Sequence, residues 1–188
     1  WLKVPEPEAL LHGTIFFDFR PLYGRYELVD HLRSWLLARA PEHPLFLRAL
    51  AQQALDVAPP LGFAGRFLYD RNRDFPHTID LKTRGARLFV DVARIEGLAK
   101  GVWATNTAAR LRATGAGPGR AAGDIAAEVE AFHLVQRFRI HQQQTTVDVD
   151  GVNRVDPARM NELNRLMLKE ALRQAHKMQL RLQQTYGL

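Results

Sequence analysis

The stretch from Pro157 to Tyr186 sets the terms for any fold this chain can adopt. Met160, Leu163, Met167, Ala171, Met178 and Leu182 recur at steps of three, four and seven, with a polar step near Gln174. A seam of that period belongs to a long helix with one apolar face. Asp156 and Pro157 ahead of it suit an N-cap and a first helical position. Core packing across a helical bundle is the simpler use of such a face; a homodimer seam is the alternative.

The bundle partners are legible upstream. YELVDHLRSWLLARA places Leu28, Leu32, Trp35 and Leu36 at helical spacing, and LFLRALAQQALDVA follows after Pro41 and Pro44. Together they predict a helical hairpin, closed by Pro59 and Pro60. A third helix is expected from about Ala86 to Lys100, with Leu88, Phe89, Val92, Ile95, Leu98 and Ala99 on its apolar side. Gly101 suits the left-handed cap that ends it. TAARLRATG predicts a short fourth helix capped by Thr105 or Asn106, and GAGPGRAAG a flexible hinge.

A fifth helix is expected from about Asp124 to Gln144. Ile125, Val129, Phe132 and Ile140 form one apolar stripe; Ala131, Leu134, Val135 and Phe138 form another. Between them runs a polar strip of Glu130, His133, Arg137 and His141. A helix apolar on two sides is central, so the strip meets a cleft or a buried network, unless it is a solvated row of stacked charges. Gln136 and Arg139 fall within the apolar sector, and the spacing does not explain them.

Three stretches break the helical pattern. TIFFDFRPLYG, from Thr14 to Gly24, has strand composition. Alternation there puts Phe16, Asp18 and Arg20 on one face and Ile15, Phe17 and Phe19 on the other, with Pro21 at an end or edge. Asp18 and Arg20 fit a salt bridge at a sheet edge. Leu61 to Gly85 reads as an irregular connection with short strands at GRFLY and HTIDL. TTVDVDGVNRVDPARM reads as a loop or small hairpin around an Asp-Gly turn. Its DVDG resembles the start of a calcium loop, but the twelfth position holds no Glu. The expected fold is mainly α: an antiparallel bundle of five to six helices with a short N-terminal β-strand remnant.

Composition narrows the chemistry. The 188 residues are 46% hydrophobic, enough for a real core, and include no cysteine, which removes disulfides and thiolate sites. No apolar run reaches the ~18 residues of a membrane span, and the first residues lack the order of a signal peptide. No membrane partner and a cytoplasmic location are therefore expected. A formal net charge of +6 favours anionic partners. The arginines are spread along helices rather than clustered with aromatics, so the pattern does not favour nucleic acid. Glycine-rich phosphate loop, GxSxG, HExxH and paired His/Cys metal spacing are all absent.

FFDFRPLYG, IDLKTRG before a helix, NTAARLRATG, a helix ending FRIHQQ, and DP before a long last helix occur in that order from Leu11 onward. This order resembles the nucleotidyltransferase substrate-binding domain of bacterial signalling proteins. In those proteins it follows a nucleotidyltransferase domain, often with upstream CBS or cyclic-nucleotide-binding sensor domains. The family is similar to the helical part of glutamine-synthetase adenylyltransferase and PII uridylyltransferase. The resemblance implies that residues 1–24 are a linker and the terminal strand of the preceding catalytic domain, and that residues 25–188 are the helical substrate-binding domain. It implies Asp18 as a catalytic, metal-binding carboxylate and Arg20 as a neighbour of the phosphates. Mg2+, a nucleoside triphosphate and a protein acceptor are the implied cofactor and partners. No Gly-Ser and Asp-x-Asp pair precedes Asp18, so this piece alone is expected not to catalyse transfer.

Lys82 and Arg84 take the place of a basic motif in the related adenylyltransferases. Next to a helix N-terminus they would make an anion site. Arg137 and His133 would join it if the polar strip faced the same cleft. Asp91 and Arg94 are expected to form a structural pair. A non-catalytic helical scaffold coupling sensor domains is the alternative function.

Overall fold

The computed structural model describes residues 2–6, 10, 13–14, 16–116 and 120–188. Six α-helices lie among them: α1 (Tyr26–Arg39), α2 (Pro44–Leu55), α3 (Arg87–Ala99), α4 (Thr107–Gly115), α5 (Ala122–Thr145) and α6 (Glu162–Tyr186). Two-residue strands β1 (Ile79–Asp80) and β2 (Arg154–Val155) pair antiparallel, Ile79 opposite Val155. The fold is mainly α.

α3 is the hub, packed against α1, α2, α4 and α6, while α5 lies along α6 and meets α4. The reason is in its sequence. Leu88, Phe89, Val92, Ala93, Ile95 and Leu98 are buried, covering more than half its circumference. Phe89 meets Phe132 of α5 with ring centroids 5.9 Å apart. Each such side chain contributes roughly 1.5–3 kcal/mol on burial. Gly101 ends the helix at φ +63, and the Asn106 side chain caps α4 by accepting from the Ala109 amide at 3.1 Å.

A π-helical turn, Lys82–Ala86, leads into α3, with the Ala86 amide donating to the Leu81 carbonyl at 2.8 Å. Gly85 permits it: a Cβ there would stand 3.0 Å from Val135 Cγ1 of α5. In the irregular stretch, Leu61 bridges Phe67 and β1 forms within HTIDL, as expected. Arg139 is explained too. Its guanidinium donates to Asn153 Oδ1 at 3.0 and 3.2 Å and to Gln136 Oε1 at 2.6 Å, pinning the 146–156 segment to α5.

Four expectations need correction. The N-terminal strand does not form: Gly13, Thr14 and Phe16 are helical, and the Phe17 amide donates to the Gly13 carbonyl at 3.2 Å. Among the described residues the only sheet is the two-residue pair of β1 and β2. A helical turn instead buries Phe17 edge-on against Phe46, centroids 5.6 Å apart. Ile15 lies outside the described residues.

The last helix starts at Glu162, not Pro157. Asp156 caps a separate turn through the Ala158 amide, and Asn161 caps the helix by accepting from the Asn164 amide at 2.8 Å. Its buried stripe is Leu168, Ala171, Leu172, Ala175, Met178, Gln179 and Leu182, whereas Leu163 is exposed. On α1, Leu28, Leu32 and Trp35 are exposed and Leu36 alone of the expected four is buried. Among the described residues no helix is long and apolar enough to cross a membrane.

Four helices are stitched by a buried ionic network. Glu96 of α3 and Glu128 of α5 each meet both Arg120 and Arg181 of α6; Arg181 lies 2.9 Å from Glu96 and 2.8 Å from Glu128. The Thr114 hydroxyl of α4 donates to Glu96 at 3.1 Å.

Candidate functional site

Asp18 lies where the N-terminal segment crosses α3 and α4. Arg94 of α3 donates to Oδ2 through Nη2 at 2.7 Å and Nε at 3.2 Å. Arg110 of α4 brings Nη1 to 2.5 Å from Oδ1, without the alignment of a hydrogen bond. Its Nε donates to the Ala104 carbonyl at 2.7 Å. Arg33 of α1 donates to the Phe19 carbonyl and stacks on the Phe19 ring at 4.6 Å and on Trp103 at 5.9 Å. Arg94 also pairs with Asp91 at 3.2 Å, the expected structural pair, and Asp91 pairs with Arg87 at 3.0 Å.

Burial, with Arg110 next, pushes the Arg33 pKa down despite Asp18 and Asp30. Burial pushes the Asp91 carboxyl up, against the pull of Arg94 and Arg87.

Asp18 therefore pairs with Arg94 and Arg110, not with Arg20, which is exposed. This arrangement does not fit Mg2+. A hard cation needs free carboxylate oxygens, and both oxygens of Asp18 face guanidinium groups whose charge opposes a second cation. No group of three or more His, Cys, Asp or Glu converges on a metal position among the described residues.

The Lys82–Arg84 corner has its donors engaged. The Asp80 carboxylate accepts from the Lys82 and Thr83 amides at 2.8 and 3.2 Å. Arg84 pairs with Asp70 at 2.7 Å, and Arg154 pairs with the same carboxylate at 2.9 Å. Burial opposes ionisation of Asp70, but hydrogen bonds from Arg84, the Asp80 amide and Arg154 hold its carboxyl below the usual range. Aspartates thus hold the amides and the guanidinium that were expected to bind an anion. The Lys82 side chain is exposed.

The α5 polar strip meets grooves against α6. Glu130, His133 and Arg137 line one of about 520 Å³ with Glu170 and Gln174 of α6. Arg137 and His141 line the adjoining groove of about 1020 Å³, roofed by the 146–156 segment and the loop at Phe75. Lys82 and Arg84 line neither. Arg154 and Arg159 also face the larger groove, paired with Asp70 and Asp156, and Arg154 stacks on Phe75 at 5.6 Å. Arg137 has no acidic partner among the described residues. The structure thus brings Arg137 beside His133 in a groove that Lys82, Arg84 and Asp18 do not line.

Sequence reasoning missed Arg33, Arg110, Arg154 and Phe75. Arg110 offered a signal, since it sits between Ala108 and Leu111 on the buried side of a short helix. Arg33 sits one step from Leu32, and nothing in its spacing marks it.

The described residues thus form a six-helix bundle with two partly apolar grooves between α5 and α6. Residues 44–186 match the family described as "Putative nucleotidyltransferase substrate binding domain", and the chain belongs to that family. The match begins at Pro44, so Asp18, Arg20 and α1 stand outside the matched span, while Arg94, Arg110 and Arg137 stand inside it. No curated protein and no solved structure matches the chain.

Proposed function

We propose that this chain is the helical, substrate-holding unit of a regulatory nucleotidyltransferase whose transfer chemistry resides in another domain. In this reading the α5–α6 groove takes the phosphates of a nucleoside triphosphate. The observation that carries it is Arg137: a cation without an acidic partner among the described residues, in a groove with Phe75 and Phe138, within the family-matched span. Guanidinium groups recognise phosphate oxygens by paired hydrogen bonds, and an aromatic wall accepts a base. His141 lines the same groove beside Arg137.

The test is titration of the full-length protein with ATP, alongside Arg137→Ala. The variant should bind about tenfold more weakly, the cost of one charge-assisted contact, with an unchanged helical circular-dichroism signal. Equal affinity of the two proteins would remove Arg137 from the site.

The second reading is a helical scaffold that couples sensor domains to a catalytic partner. The apolar face of α1 favours it: Leu28, Leu32 and Trp35 are exposed, and with Phe16, Phe17 and Phe19 two of them line a cavity of about 790 Å³. A scaffold predicts that Arg137→Ala leaves nucleotide binding and transfer unaltered while Trp35→Asp uncouples regulation.

A further inference from the structure

Among the described residues, the arginines around Asp18 outnumber the acids they face. Arg94 and Arg110 pair with Asp18, Arg87 and Arg94 pair with Asp91, and Arg33, which donates to the Phe19 carbonyl, stands within electrostatic reach of Asp18, Arg110 and exposed Asp30. Arg33 and Arg110 are 6% and 4% exposed, so water screens neither. A buried cation without full compensation is expensive. Asp91 is shared between Arg87 and Arg94. That leaves Asp18, one negative charge, among three guanidinium groups. Its Oδ1 is buried and accepts no aligned hydrogen bond. One planar carboxylate faces guanidinium groups from α3 and α4, and Arg33 of α1 stands beside them on the Phe19 carbonyl.

We propose that Arg33, Arg94 and Arg110 form an oxyanion pocket for a phosphoryl dianion, in which the Asp18 carboxylate is a resident surrogate. A phosphoryl group carries about two charges near neutral pH and three or more acceptor oxygens in a tetrahedral array. It would offer one oxygen to each guanidinium and cancel the surplus that a monoanion leaves. The Asp18 side chain is 32% exposed, so it can rotate outward while Phe17, 3% exposed, stays in the core. Displacement then needs a change of side-chain rotamer and not unfolding of the segment. The pocket lies on α1, α3 and α4, apart from the α5–α6 groove, so it stands or falls independently of the nucleotide reading.

The tether makes a prediction about affinity. An internal competitor lowers apparent affinity by the fraction of time the pocket is open. The full-length protein and its Asp18→Ala variant are titrated with inorganic phosphate, pyrophosphate and ATP at constant ionic strength, with chloride as control. Asp18→Ala should bind phosphate about tenfold more tightly than the parent. Adding Arg110→Met to Asp18→Ala should abolish the gain. Equal gains for all three ligands point to a lone phosphoryl group, and a gain for phosphate exceeded by the gain for ATP points to a nucleotide; both support the pocket.

Asp18→Asn serves if the alanine variant is unstable, because it keeps the side-chain volume. If both variants unfold, phosphate should still raise their melting temperatures by more than chloride does. A folded Asp18→Ala with no more phosphate affinity than the parent would overturn the proposal. So would unfolded variants that phosphate does not rescue.

Discussion

α3 carries two ionic clusters, one through Arg94 and one through Glu96 two residues on and so on the opposite side of the helix, and they are composed differently. At Glu96, two glutamates meet two arginines, and each carboxylate touches both cations. At Arg94, guanidinium groups exceed carboxylates among the described residues. The arginines register the difference. Burial opposes the charge of Arg181, yet Glu96 and Glu128 hold its pKa above the ordinary value. Arg33 is pushed below its ordinary value by burial and by Arg110. The Glu96 cluster is charge-matched among the described residues, although Arg181 Nη2 there, like Asp18 Oδ1, is buried without an aligned hydrogen bond. The surplus of cations beside Asp18 is what distinguishes that cluster from the one at Glu96.

The largest effect expected from breaking this comparison is at Glu128. Glu128→Ala leaves Arg120 and Arg181 short of one partner in a buried setting and should destabilise by about 3 kcal/mol. Urea unfolding with an unchanged slope checks it. Arg110→Met should be milder, about 1 kcal/mol, because the lost pair with Asp18 is offset by relief of repulsion with Arg33. An equal loss at the two sites would mean that the Asp18 cluster is balanced after all.

Two aspartates sharpen the contrast through pH. Asp70 has its carboxyl held below the usual range, so its contribution is present above the ordinary aspartate pKa and is lost as pH falls. Asp91 has a raised pKa, so its contribution is present below the ordinary value and is lost as pH rises through the raised one. Against Asp70→Asn, the parent should therefore lose its advantage on acidification from pH 7 to pH 3. Against Asp91→Asn it should gain one. Thermal melts of the three proteins across that range read both slopes.

The smallest effect belongs to the exposed pair of Arg39 and Glu42, 2.8 Å apart with both side chains more than half exposed. Arg39→Ala should shift stability by less than about 0.5 kcal/mol.

Much of the bundle was legible because its signals are local. Leu88 to Leu98 announce α3 by period, Asn106 announces α4 by its cap, and the two stripes of α5 announce a helix packed on two sides. The N-terminal strand was misread because Phe, Ile and Thr give strand composition without saying whether a sheet is near. Pro157 was misplaced because Asp-Pro also opens a single turn, and Asn161 five residues on made the better cap. The site was less legible for a different reason. Asp18 stood out as a lone acid among aromatics, but Arg94 lies 76 residues away and Arg110 further still. No periodicity joins them. Arg84 was recognised as a cation near a helix start; that Asp70 would claim it depended on how residues 61–85 fold back.

The π turn at Lys82–Ala86 also governs phase. A helix advances about 100° per residue, and a wide turn accommodates one residue beyond the α register. The pairing of Ile79 with Val155 before it and the buried face of α3 after it are thus synchronised by chain length. Removing one residue between 82 and 86 would give a regular α turn, yet it would rotate either Ile79 or Leu88 out of its slot. Point changes at Thr83, which is exposed, disturb nothing of that kind. Across this family, the segment should therefore vary in identity at position 83 far more freely than it varies in length.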